Sequence, residues 1–135
     1  YHGIYTFLND GKFNFTQSYF YQMNGAYKAM VRDYDMDGDL DIAAISFFPD
    51  YLRYPEESFI YLKNKGNLKF DDYSFPEAPK GRWVVMDAGD MDADGDIDLV
   101  LGSFAYFLPQ GDTTGLGKKW LTTGPSVIVL ENTIR

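Results

Sequence analysis

The stretch DYDMDGDLD, Asp33 to Asp41, sets a carboxylate on every second position, and 57 residues further on the chain repeats the pattern as DMDADGDID, Asp90 to Asp98. Five like charges at this spacing repel one another unless a cation sits among them. In D-x-D-x-D-G-D-x-D the carboxylates at loop positions 1, 3 and 5 turn inward about one centre, and glycine at position 6 permits the sharp turn. Position 7 offers its backbone carbonyl and a carboxylate at position 9 closes the cage. An all-oxygen cage in a flexible loop selects a hard cation, and suits Ca2+ better than octahedral Mg2+. The first loop nominates Asp33, Asp35, Asp37 and Asp41 as side-chain ligands, with Asp39 through its carbonyl; the second nominates Asp90, Asp92, Asp94 and Asp98, with Asp96 through its carbonyl. Two Ca2+ sites are expected, structural rather than catalytic because four carboxylates and a carbonyl leave little open coordination. Leu40 and Ile97, at position 8, are expected to pin each loop to the core. A polar hairpin turn is the plain alternative for one such loop; two in register, with glycine at the same place, weigh against it. Neither loop is an EF-hand, since position 12 holds Ala44 and Leu101 where a glutamate is needed, and both exits read as strands.

The correspondence at offset 57 runs on through Ile42/Leu99, Ser46/Ser103 and Phe47/Phe104, which marks a structural repeat. A second element recurs around it, an apolar run ending in Leu and Asn: YTFLN (Tyr5 to Asn9), IYLKN (Ile60 to Asn64) and VIVLEN (Val127 to Asn132). The first two lead through NDGKFNF and NKGNLKF into another apolar run. The unit is a cycle of four strands: a (27–32 and 82–87), b (42–47 and 98–104), c (the Leu-x-Asn run) and d (13–20 and 68–75), with the acidic loop joining a to b. The chain then reads c-d, a-b-c-d, a-b-c: a partial unit at 1–26, a unit at 27–81, and a unit at 82–135 with a long loop insertion at 105–126. The expected fold is all-β, with β-propeller blades of four antiparallel strands, about two and a fraction of them. Propellers need at least about four blades to close. The segment is therefore expected to belong to a larger propeller, completed by further blades of the same chain or by other copies.

Composition fits. The chain has 135 residues, 45% of them hydrophobic, with 11 Tyr, 11 Phe, 13 Gly and 6 Pro, which favours strands and turns around a real core. Its net charge of −8 is local, because ten of the twenty acidic residues lie in the two loops and the remaining ten face twelve bases. No basic stripe offers itself to nucleic acid. There is no cysteine, hence no disulfide, thiolate site or cysteine nucleophile, and no apolar run reaches the length of a membrane span.

The pair DYDMDGDLDIAAISFF and AGDMDADGDIDLVLGSF, with YLKNKGNLKF after the first, resembles the FG-GAP/VCBS repeat family. That resemblance implies blades of integrin-like β-propellers carrying D-x-D-x-D-G-x-x-D calcium loops. It also implies extracellular or periplasmic placement, and adhesion, carbohydrate recognition or scaffolding beside another domain. No literal FG…GAP pair is present, and Gly89 before Asp90 has no counterpart at Arg32.

The b-c connections leave the blade at the end away from the metal loops, as FPDYLRYPEES (Phe48 to Ser58) and the longer segment from Ala105 to Ser126, which holds Tyr106, Phe107, Lys118, Lys119 and Trp120. Long loops on rigid scaffolds favour recognition, so Tyr51, Tyr54, Tyr106 and Trp120 are candidate contacts for a glycan or protein ligand. The alternative is that these aromatics fill a seam between blades. With His2 as the one histidine, histidine-based catalysis and His-ligated zinc are not expected. GDTTGLGKK is not a phosphate loop. The sequence thus points to a non-enzymatic, calcium-binding propeller module for adhesion or recognition. The alternatives are a non-catalytic segment of a larger secreted polysaccharide-active enzyme and a self-assembling structural subunit.

Overall fold

The computed structural model describes residues 2–106 and 111–134. Their nine strands form three antiparallel meanders. The first pairs β1 (Gly3–Asn9) with β2 (Phe15–Gln22). The second runs β3 (Ala26–Arg32), β4 (Asp41–Ser46), β5 (Phe59–Asn64) and β6 (Phe70–Tyr73). The third runs β7 (Trp83–Gly89), β8 (Asp98–Ser103) and β9 (Val127–Leu130). No helix among the described residues is long and apolar enough to cross a membrane.

The strand order is the one the Leu-x-Asn and acidic-loop spacing predicts, and the repeat extends to the hydrogen-bond register. Every β3–β4 pair, from Ala26–Ser46 to Arg32–Asp41, recurs 57 residues on in β7–β8, from Trp83–Ser103 to Gly89–Asp98, including the bulge after the first pair. The β4–β5 pairs recur likewise in β8–β9: Ile42–Leu62 becomes Leu99–Leu130. Strand β2 starts at Phe15 and β6 at Phe70, later than expected, because Phe13 (φ 64°) and Leu68 (φ 55°) are left-handed and end their turns instead of opening the strand.

The second sheet lies between the other two. Side chains alternate across a strand, and β4 is buried throughout. Ile42 and Ala44 pack with Ile60, Leu62 and Met23 against Ile4, Tyr19 and Tyr21 of the first sheet. Ala43 and Ile45 face the other way, with Phe59, onto Trp83, Met86, Leu99 and Leu101 of the third. Two cores, one in each seam, follow from a strand pattern apolar on both faces.

The chain is mostly rather than wholly β. A short helix, α1 (Leu116–Thr122), falls inside the expected insertion, and 3-10 turns lie at Pro55–Ser58 and Ala78–Lys80. Asp112 builds the entry to α1: its carboxylate accepts from the backbone N of Thr114, Gly115 and Gly117 at 2.8–3.1 Å. That carboxyl is held below its usual range by the Thr114 hydroxyl and then by the Gly117 amide.

Candidate metal centre

Loop one joins β3 to β4 and loop two joins β7 to β8, and the two share three closing bonds while differing in a fourth, which reaches the position-1 carboxylate from Asp37 in loop one (3.1 Å to Asp33) and from Ala93 in loop two (2.7 Å to Asp90). The position-6 amide donates to the position-1 carboxylate: Gly38 to Asp33 at 3.0 Å, Gly95 to Asp90 at 3.1 Å. Position 5 donates to position 3, Asp37 to Asp35 at 3.3 Å and Asp94 to Asp92 at 3.2 Å. Position 7 donates to position 5, Asp39 to Asp37 at 2.9 Å and Asp96 to Asp94 at 3.2 Å. Two left-handed residues make the turn tight enough: position 6 (Gly38, φ 94°; Gly95, φ 100°) and, unforeseen, position 4 (Met36, φ 55°; Ala93, φ 66°).

The position-9 aspartates are buried, Asp41 at 0% and Asp98 at 1% exposure. Each accepts from the position-2 amide and from the amide of the asparagine that ends strand c. Tyr34 and Asn64 donate to Asp41 at 3.2 and 2.8 Å, and Met91 and Asn132 to Asp98 at 2.8 and 2.8 Å. The asparagine side chain then donates to the position-8 carbonyl, Asn64 to Leu40 at 3.1 Å and Asn132 to Ile97 at 3.3 Å. The Leu-x-Asn recurrence, legible in the sequence without a purpose, is the clamp on the acidic loop.

Three carboxylates converge in each loop, with one oxygen apiece lying within 4.8 Å of the others: Asp33, Asp35 and Asp37 in loop one, and Asp90, Asp92 and Asp98 in loop two. Asp41 and Asp94 stand outside these groups. The Asp41 carboxylate also accepts from the Tyr61 hydroxyl, which donates to its Oδ2 at 2.7 Å. The equivalent residue in the third sheet is Val129, which leaves Asp98 without that bond. Burial, and then the bond to Asp41, push the Tyr61 phenol up. In loop one the Lys63 ammonium is ion-paired with Asp35 Oδ2. Burial raises the Asp35 pKa, but Lys63 and the Asp37 amide outweigh it and hold the carboxyl low.

Position 7 differs most. Asp39 is exposed, whereas the Asp96 side chain is buried, at 2% residue exposure, with neither carboxylate oxygen hydrogen-bonded. Burial, and then Asp94, Asp98 and Asp92, push its carboxyl up. The sequence assigned Asp96 only a backbone carbonyl. A buried carboxylate with no donor, beside three others, is what the donor set of a hard-cation site looks like without its cation. The residues present fit Ca2+.

The position-8 expectation fails in loop one. Ile97 packs into the core between the second and third sheets, but Leu40 is 59% exposed. The buried apolar side chain there is Tyr34 at position 2, which enters that same core while Met91, its equivalent, is exposed. The reason is the seam: Tyr34 and Ile97 meet across it, and Asn132 also donates to the Tyr34 carbonyl at 2.7 Å.

At the other end of the strands, Tyr51 and Trp120 come together edge to face at 5.0 Å. Trp120 is buried, its indole N–H donating to the Pro79 carbonyl at 2.8 Å, and the Tyr51 hydroxyl donates to the Phe47 carbonyl at 2.5 Å. Their rings thus pack the loop after β4 against α1. Tyr54 and Tyr106 are 51% and 80% exposed, Tyr106 stacking on Phe104 at 6.4 Å. Phe107 lies outside the described residues. Arg82, unremarked in the sequence, is buried with its guanidinium 3.8 Å from the centre of the Phe47 ring and its Nε donating to the Phe47 carbonyl. Compared with protein-family models, with curated proteins and with solved structures, the chain has no significant match.

Proposed function

We propose that each acidic loop holds one Ca2+ and that the chain is a calcium-stabilised segment of an FG-GAP/VCBS-like β-propeller, working outside the cell or in the periplasm as a non-enzymatic adhesion or recognition module. The observation that carries this reading is the convergence of three carboxylates in each of two loops that share three closing bonds. The unpartnered Asp96 carboxylate supports it at loop two. Asp33, Asp35 and Asp37 would hold the first ion, and Asp90, Asp92 and Asp98 the second. Asp39, Asp41, Asp94 and Asp96 complete the candidate donor set. The ion supplies charge neutralisation; the chain supplies the a-b corner that keeps each sheet in register. The four-strand cycle and the stacking of sheets about the second support the propeller, with further blades in the same chain or in other copies covering the exposed outer faces. On the far face, exposed Tyr54 and Tyr106 are the candidate contacts for a glycan or protein.

Thermal unfolding in EGTA and in millimolar Ca2+ tests the metal. A ligand at about 100 times its Kd adds about 2.7 kcal/mol per site, so the melting temperature should rise by several degrees. An unchanged melting temperature refutes the calcium assignment. Glycan-array binding that is lost on Tyr106→Ala would support recognition, and turnover of a polysaccharide by the chain alone would refute the non-enzyme reading.

A further inference from the structure

The two loops share their left-handed positions 4 and 6 but not the charge set against them. Lys63 and Glu131 occupy one register position, a step beyond the pairs Ile42–Leu62 and Leu99–Leu130, and so stand opposite the position-9 aspartates Asp41 and Asp98. In the second sheet that side chain is an ammonium ion-paired with Asp35, whose side chain is only 6% exposed. Two residues earlier on the same face of β5, Tyr61 holds the Oδ2 of Asp41. One strand thus engages two of the loop-one carboxylates. In the third sheet the corresponding residues are Val129, which has no donor, and Glu131, an exposed anion. Loop two also carries the buried Asp96 carboxylate with both oxygens unpartnered. Five loop carboxylates with Lys63 give loop one a formal charge of −4; five with Glu131 give loop two −6.

We propose, resting on the reading of both loops as calcium sites, that Lys63 is a tethered competitor for the Asp35 carboxylate, so that loop two fills first and loop one fills only when Ca2+ is concentrated enough to displace the ammonium. The segment then responds to Ca2+ in two steps: loop two is its constitutive brace and loop one its concentration-dependent one. The size of the effect follows from Coulomb's law: a unit charge about 6 Å from a divalent ion, at the dielectric of water, changes affinity about tenfold. With opposite charges at the equivalent positions, the native steps should lie at least about tenfold apart.

The test is a chelator-competition Ca2+ titration of the whole chain, followed by calorimetry, for the wild type, Lys63→Met and Glu131→Gln, with far-UV circular dichroism to verify folding. The Lys63 and Glu131 side chains reach solvent, so both substitutions leave the cores untouched. The expected result is two resolved steps. Lys63→Met tightens the weaker step about tenfold and leaves the tighter one in place, while Glu131→Gln weakens only the tighter one. Two ions bound with equal affinity, or a weaker step unmoved by Lys63→Met, overturns the role of Lys63 and leaves the calcium reading standing. No bound ion in any of the three proteins overturns the calcium reading, and this inference with it.

Discussion

At the scale of single residues, the acidic loops are held by conformations that only some side chains tolerate. Gly38 and Gly95 have open space around the missing Cβ, so their requirement is the positive φ alone. Gly95→Ala should therefore cost about 1–2 kcal/mol, the left-handed penalty of an L-residue. Ala93 already bears that penalty at φ 66°. Ala93→Gly should stabilise, by less than about 1 kcal/mol because glycine also loosens the unfolded chain. Urea unfolding in EGTA measures both, and shifts of the same sign would contradict the account. The asparagine clamps make a second prediction. Asn64→Ala removes two bonds, to the Leu40 carbonyl and from the Gly66 amide, whereas Asn132→Ala removes three, to the carbonyls of Ile97 and Tyr34 and from the Ile134 amide. Each orphaned buried group costs about 1–3 kcal/mol, so Asn132→Ala should be the more damaging, read from the same unfolding curves.

At the scale of elements, the strands were legible because their apolar runs recur at fixed distances from the aspartates, and the bulge after Ala26–Ser46 recurs with them. The candidate site was legible in its carboxylates and in Gly38 and Gly95. It was not legible in the residues that set it from outside the loop, Tyr61 and Lys63, because their role depends on strand β5 lying beside the loop exit. Nor could pattern tell Leu40 from Ile97, since both are apolar at one loop position and only the seam each one meets decides its burial. The helix α1 was hidden for a local reason: its entry is built by Asp112 through side-chain bonds in a Gly- and Thr-rich segment that reads as loop. Those bonds predict a pH dependence. The Asp112 carboxyl is lowered in the folded state, so its contribution is present above the unfolded carboxyl pKa and lost as pH falls through the folded value. The stability difference between the wild type and Asp112→Asn should be constant above about pH 5 and shrink below about pH 4. Parallel pH profiles would show that the charge plays no part.

At the scale of the whole molecule, the central sheet is stabilised from both faces while half of the acidic charge is gathered at the a-b corners. These two facts pull in opposite directions. Burial in the two seams holds the sheets together, and repulsion within each loop strains the corners from which β4 and β8 depart. Monovalent salt separates the two contributions, because the screening length falls from about 20 Å at 0.02 M to about 4 Å at 0.5 M, which reaches the 4.8 Å grouping of the loop carboxylates and leaves dry packing largely untouched. The ion pairs at the surface that salt would weaken, Arg53–Asp50, Lys80–Glu77 and Lys65–Asp71, are worth little. In EGTA, raising NaCl from about 0.02 to 0.5 M should therefore raise the melting temperature as loop repulsion is screened. With both loops loaded by Ca2+ the same series should be nearly flat, the repulsion having been neutralised at its source. Without Ca2+, Lys63 neutralises part of loop one, so Lys63→Met should steepen the slope in EGTA and leave the slope in Ca2+ unchanged. A melting temperature that falls with NaCl in EGTA, or slopes that match with and without Ca2+, would mean that the corner carboxylates do not govern the stability of the assembled sheets.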